Sequence, residues 1–177
     1  QRPETREKAL THATSAIDRA THVVSQLLQL ARLEHGETIG HQPIDLVALC
    51  TDALLEARLP VDGVHLRIEG QPQLFGHPLL WGLILRNLID NAQRYGGKGT
   101  EVFMLITNDA LTVHDNGKGM PTAQFARLGE RFYRPVGQTA SGAGLGWSII
   151  TRIAMLHHVH VEPFAVKPHG FGIKFTF

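Results

Sequence analysis

The sequence lacks a partner for its only cysteine. Cys50 stands alone among 177 residues, so no disulfide can form within the chain, which fits a reducing compartment. It lacks an excess of either charge. Seventeen Lys and Arg face 16 Asp and Glu, a net +1, and that near balance leaves no broad electrostatic footprint for nucleic acid. Long apolar runs are missing too. The longest, Leu79 to Leu85, is ended by Arg86, far short of the about 20 residues that a membrane-spanning helix needs. Nothing reads as a signal peptide, an internal repeat or a low-complexity tract. What is present is ordinary for a soluble folded protein: 43% hydrophobic and 19% charged residues, in a length that suits one compact domain with an appendage. It can equally be a piece of something larger.

Residues Glu4 to Glu34, within a first unit of residues 1–36, are expected to form one long helix. Ala13, Ile17, Ala20, Val24, Leu27 and Ala31 alternate spacings of four and three, with Leu10 one step earlier, the seam of a coiled coil or helical hairpin. No second helix of matching length and pattern follows, so its partner is expected to be another chain or a segment outside this one. Packing against the rest of the same domain is the alternative. The stretch His35 to Pro43, with two glycines and a proline, reads as a linker, bounded at residues 37–44. From residue 45 to 177 the pattern predicts a helix from Asp45, its N-cap, to Leu59; a strand Val64–Ile68; a helix Pro78–Tyr95; a hairpin Glu101–Thr107 and Ala110–His114 turning at Asn108 and Asp109; a short helix Thr122–Gly129; a helix from about Leu145 to His158; and strands His160–Phe164 and Gly172–Phe177. Strands that pair as neighbours with helices set apart imply an α+β two-layer sandwich, helices on one face of a mixed sheet.

Three stretches carry chemistry. In "NLIDNAQRY", Asn87, Asp90, Asn91 and Arg94 share one helix face. Asn and Asp are poor helix formers, and their oxygens, with a guanidinium beside them, suit a magnesium–phosphate ligand. Tyr95 offers a ring for a base to stack on. A solvated helix face explains the same residues equally well. In "DNGKGM", Asp115 ends a strand and can accept a hydrogen bond from an exocyclic amine, while Gly117 and Gly119 let a flat ring approach the backbone; a plain turn is the alternative. In "SGAGLGWSII", Gly142, Gly144 and Gly146, with Leu145 between them, precede a helix. Bare backbone there lets N–H groups approach phosphates, though a loop without ligand has the same composition. The Walker A spacing is absent, since the lysine of "GGKGT" is followed by glycine, and G-x-G-x-x-G is absent as well.

The ordered set "NLIDNAQRY", "DNGKGM", "ERFYRP" and "GAGLGWSI" resembles the N, G1, F and G2 boxes of bacterial sensor histidine kinases, within the gyrase/Hsp90/histidine-kinase/MutL ATPase superfamily, and most of all the quorum-sensing members. "AIDRATHVVSQLLQLARLE" is similar to the second helix of their dimerisation and phosphotransfer hairpin. The resemblance implies ATP and Mg2+ as ligands. Asn91 would hold magnesium with Asn87 close by, Arg94 would contact phosphate and Tyr95 would flank the base. Asp115 would recognise the adenine amine in a pocket shaped by Gly117 and Gly119. Phe132 and Tyr133 would anchor a mobile lid, about Gly129 to Ala143, and Arg134 would reach the terminal phosphate. Gly142, Gly144, Leu145 and Gly146 would form the hinge and phosphate cradle. The implied partners are ATP, a response regulator and a second copy through the hairpin, with membrane attachment only through segments absent here and this portion facing the cytoplasm.

Position 87 discriminates within the superfamily, whose hydrolysing members resemble one another in carrying a glutamate there. Asn87 cannot take a proton, which favours transfer to a protein side chain over hydrolysis. The chain departs from the family in lacking the acceptor-histidine motif; His12 and His22 have no such context, so autophosphorylation in isolation is not expected. Trp147 and Phe171 are bulkier than the family's usual residues. Two other readings compete: an ATP-hydrolysing conformational switch, and a non-catalytic module that docks a partner through the leading helix. Among weaker constellations, His157, His158 and His160 form a zinc-like spacing, but histidines also suit the end of a helix. Asp52 and Glu56 read as an acid/base pair or a solvated face, and Cys50 as core.

Overall fold

The computed structural model describes residues 42–57, 63–128, 130 and 146–177. In chain order these form β1 (Gln42–Pro43), α1 (Leu46–Glu56), β2 (Val64–Ile68), β3 (Phe75–Gly76), α2 (Pro78–Tyr95), β4 (Val102–Ile106), β5 (Ala110–Asp115), a 3-10 turn (Thr122–Arg127), α3 (Gly146–Leu156), β6 (His160–Ala165) and β7 (Phe171–Thr176). The five longer strands make one mixed sheet in the order β2-β4-β5-β7-β6. Only β2 and β4 run parallel, and the crossover that a parallel pair requires contains α2. The expected α+β two-layer arrangement is what these elements build.

Each element has a local cause. Asp45 caps α1, its Oδ1 accepting from the Ala48 N–H at 2.9 Å, which satisfies one of the free amides of the first turn. Pro78 opens α2 where its missing N–H does no harm. The spacing of Trp81, Ile84, Leu85, Leu88, Ile89 and Ala92 lays one apolar stripe along that helix, and all six are buried. The stripe packs on Val102, Met104, Ile106, Leu111, Val113, Ile173 and Phe175 from alternate strand positions, and on Ile149, Ile150 and Ile153 of α3. Fully buried Trp81 sits at the centre, edge-on to Phe175, Phe177 and His157. Cys50 is core, as expected, and burial pushes its thiol up to about 12, so at neutral pH it offers no reactive thiolate.

Three features differ from expectation. The end of the linker, Gln42 and Pro43, pairs antiparallel with Phe75 and Gly76, and Ile44 behind it is buried and donates its N–H to the Leu74 carbonyl at 2.8 Å. Two-residue strands are too short to show periodicity. The helix expected over Thr122–Gly129 is a 3-10 turn over Thr122–Arg127 with no side-chain cap and no buried residue. An α-helix of that length has neither the burial nor the capping to hold it. The helix after the glycine run is described from Gly146 to Leu156, shorter than expected at its C-terminal end, where His158 takes a positive φ of 57°. The long helix of residues 1–36 lies outside the described residues, as does most of the linker.

Gly82 lies in the middle of α2, and a Cβ there would meet nothing within 4 Å. Gly82→Ala is therefore expected to raise stability by about 1 kcal/mol, the helix-propensity difference, and the melting temperature by about 3 °C. A thermal melt checks it; a lower melting temperature would show that the open space is needed.

Candidate functional site

One helix joins the two halves of the site. On α2, Asn87 is only 5% exposed. Its Nδ2 donates to the Leu83 carbonyl at 2.9 Å, an assignment that follows from the hydrogen bond and turns Oδ1 away from its own helix. A Cβ built on Gly146 would lie 3.4 Å from that Oδ1, 3.5 Å from Asn91 Nδ2 and 3.7 Å from Asn91 Oδ1. Gly146, the first described residue of α3, thus rests directly on the two carboxamides. The described part of α3 begins at Gly146, so the N-terminal side of that helix and the positive side of its dipole face the same place. Hard amide oxygens there suit a cation and the anion that accompanies it. Arg94 lies 3.9 Å from the Asp90 carboxylate one turn earlier, with over a third of its side chain exposed; such a surface pair is weak. Tyr95 is half-buried at the helix end.

Beyond Tyr95 the same helix seats the second half. Gly96 closes α2, its N–H donating to the Ala92 carbonyl at 2.8 Å. A Cβ on Gly117 would run into the Gly96 backbone, and the Lys118 N–H donates to the Gly96 carbonyl at 3.2 Å. The loop after β5 is therefore pressed onto the end of the helix that carries Asn87 and Asn91. Asp115, 8% exposed, takes the Gly117 N–H on its Oδ1 at 2.8 Å. Burial pushes its carboxyl above the ordinary value, while the backbone N–H groups of Gly117 and Phe171 and the nearby His114 pull it back down. A buried carboxylate with two amides on it still has acceptor capacity left. Gly119 has a φ of 68°, and a Cβ on it would lie 2.6 Å from the Gly170 carbonyl. The Phe171 ring stands edge-on to Phe125 at 5.7 Å, tying the last strand to the 3-10 turn.

Residues 76–177 match the family of histidine kinase-, DNA gyrase B- and HSP90-like ATPases. The chain belongs to this family. It is 40% identical over 184 aligned residues to the sensor protein QseC of Escherichia coli K12, covering 97% of this chain and 40% of QseC. To the sensor protein kinase PmrB of Pseudomonas aeruginosa it is 32% identical over 165 residues, covering 88% of this chain and 34% of PmrB. Among solved structures, the cytoplasmic segment of the histidine kinase QseC aligns over 95% of this chain and 93% of that one, at 30% identity and a TM-score of 0.59. The chain spans well under half the length of these two sensor proteins.

In this histidine kinase-like ATPase domain, the expected residues fall into two neighbouring groups, Asn87, Asn91 and Gly146 along the C-terminal half of α2 and Asp115, Gly117 and Gly119 on the loop seated at its C-terminal end. Phe132, Tyr133, Arg134, Gly142, Gly144 and Leu145 lie outside the described residues. Sequence reasoning missed Gly96 and Gly170, whose backbones the site touches. Their signals were present in "RYGGKG" and "PHGFG", but both lie outside the four boxes. The three histidines do not converge. His157 Nε2 accepts from the His77 N–H at 3.0 Å and its Nδ1 meets the Ile153 carbonyl at 2.7 Å, so its ring links the end of α3 to the start of α2. His160 instead lies 4.0 Å from Glu162. Among the described residues no three His, Cys, Asp or Glu side chains could hold a metal ion, and no helix is long and apolar enough to cross a membrane. Glu56 lies 3.4 Å from Arg86 and Asp52 is exposed, as a solvated helix face would have it.

Proposed function

We propose that this chain is the ATP-binding catalytic portion of a sensor histidine kinase, which in the intact protein moves the γ-phosphoryl group of ATP to a histidine for relay to a response-regulator aspartate. One observation carries the reading. The carboxamides of Asn87 and Asn91, in the C-terminal half of α2, lie against Gly146 of α3, while the Asp115 loop is seated just beyond them on Gly96 at the C-terminal end of the same helix. A nucleotide laid along the C-terminal half of α2 meets the amide oxygens of Asn87 and Asn91 and, just past the helix end, the amine acceptor Asp115.

The residues fit Mg2+ by the chemistry of their donors. Asn91, with Asn87 beside it, would hold the ion, which would neutralise phosphate charge and orient the terminal group. Asp115 would accept from the adenine amine, and Gly117 and Gly119 would let the ring lie on the backbone. Arg94 would turn to a phosphate, Tyr95 would flank the base, and Gly142, Gly144, Leu145 and Gly146 would cradle the phosphates. Phe132 and Tyr133 would anchor a lid, and Arg134 would stabilise charge on the transferring group. A histidine ring nitrogen attacks the γ-phosphorus, the bond from that phosphorus to the β–γ bridging oxygen breaks, and ADP leaves. That histidine would come from the other helix of a dimeric hairpin of which residues 1–36 are part, in a protein held at the membrane by segments outside this chain.

Asn87 favours transfer over hydrolysis. Its amide nitrogen is spent on the Leu83 carbonyl, and neither of its side-chain groups can take a proton from water. Incubated with ATP alone, the chain is expected to release phosphate no faster than buffer does. Mixed with a QseC hairpin carrying its acceptor histidine, it is expected to place acid-labile phosphate on that hairpin. Radiolabelled ATP distinguishes the two products; steady phosphate release by the chain alone would favour the hydrolysing switch.

A further inference from the structure

The Asp115 loop is fastened by two residues that the mechanism leaves without a part. Asn116 directly follows Asp115, and Glu101 directly precedes β4, where Val102 is the register partner of Asp115. The antiparallel ladder ends at that pair, and the Asn116 side chain supplies what comes next. Its Oδ1 accepts from the Glu101 N–H at 2.8 Å and its Nδ2 donates to Glu101 Oε2 at 2.9 Å. The Asn116 N–H adds a longer contact to the Glu101 carbonyl at 3.4 Å. Both ends of one amide thus grip one residue. The other neighbour of that carboxylate is weaker: His65 Nε2 lies 3.8 Å away and its side chain is 47% exposed.

The consequence runs through Gly117. Its N–H holds Asp115 Oδ1, with the Phe171 N–H as the other backbone donor, so half of what aims the carboxylate depends on the peptide joining Asn116 to Gly117. Gly96 blocks that peptide on one side, and the grip on Glu101 fixes the residue that carries it on the other. We infer that Glu101 and Asn116 are positioning residues for nucleobase selection, aiming the Asp115 carboxylate at an exocyclic amine. This rests on the nucleotide reading above. A carboxylate that is aimed rewards a base carrying the amine and leaves one without it unpaired; a carboxylate free to turn rewards neither, so discrimination falls.

The test compares calorimetric affinities for Mg-ATP and for Mg-purine riboside triphosphate, which lacks the amine, with thermal melts alongside. Asn116→Ala is expected to weaken ATP by about tenfold, a charge-assisted hydrogen bond's worth, while the amine-free nucleotide changes little, so their ratio collapses. Glu101→Ala, which keeps the backbone bond, should do the same more weakly, and Glu101→Gln, whose amide oxygen still accepts from Asn116, should restore the ratio. A lower melting temperature with an unchanged ratio in Asn116→Ala and Glu101→Ala would mean a structural brace only and would overturn the inference. If Asn116→Ala does not fold, the two Glu101 variants decide alone. Loss of all nucleotide binding by the unmodified chain would sink the nucleotide reading itself and the inference with it.

Discussion

Asp115→Ala weakens adenine-nucleotide binding by about a hundredfold, the upper part of the range for a hydrogen bond to a buried charged group. The carboxylate is 8% exposed and is held by the Gly117 and Phe171 amides, so water cannot easily replace it and the adenine amine would be left unpaired. The same group sets a pH dependence. Burial holds its carboxyl above the ordinary 3.8, so affinity for ATP falls on acidification at a higher pH than an exposed aspartate would give. In the free protein the sign for stability is the opposite of the usual carboxylate. Because the folded-state value is raised, the group favours folding below 3.8, and that contribution is lost as pH rises through the folded-state value. Calorimetry across acidic pH reads both effects, which disappear together in Asp115→Ala; binding of ATP that survives the substitution would remove Asp115 from the site.

Gly170→Ala is expected to cost about 3 kcal/mol or more, combining a strained φ with an overpacked contact. Gly170 has a φ of 137°, and a Cβ there would strike the carbonyl of Asp115 and lie 3.0 Å from the Val166 Cβ. Neither neighbour is the loose end of a side chain. The melting temperature should fall by about 10 °C, and ATP binding should fall with it, because the group displaced is the Asp115 backbone. The contrast with Gly82→Ala, expected to stabilise, makes the pair informative. A melt of Gly170→Ala within about 2 °C of the unmodified chain, less than the shift for a single kcal/mol, would show that the turn has room that the geometry denies.

Much of this was legible in the residues. The bounds of α2 are announced by Pro78 at one end and Gly96–Gly97 at the other, and its stripe of Trp81 to Ala92 has the helical period. The strand Val64–Ile68 was readable from alternation. The pairing of Asn87 with Gly146 was not, because 59 positions separate them (146 − 87) and only the packing of α3 on α2 closes that distance. Gly170 was missed for a related reason: its demand comes from the Asp115 carbonyl on another strand, not from its neighbours in the chain. Asn116 reads locally as a turn residue, and its bonds to Glu101 exist only once β4 and β5 are side by side. The short β1–β3 pair has no period to read.

The central claim is that the C-terminal half of α2 presents metal–phosphate ligands, and the loop seated at its end a base acceptor, to one nucleotide. Titration with a non-hydrolysable ATP analogue, with and without Mg2+, on this chain and on Asn91→Ala, tests it most directly. The account predicts magnesium-dependent binding that Asn91→Ala weakens by about tenfold or more, as expected when an oxygen ligand of a shared cation is lost. Binding that is the same with and without Mg2+ and the same in both proteins, or no binding at all, would contradict it.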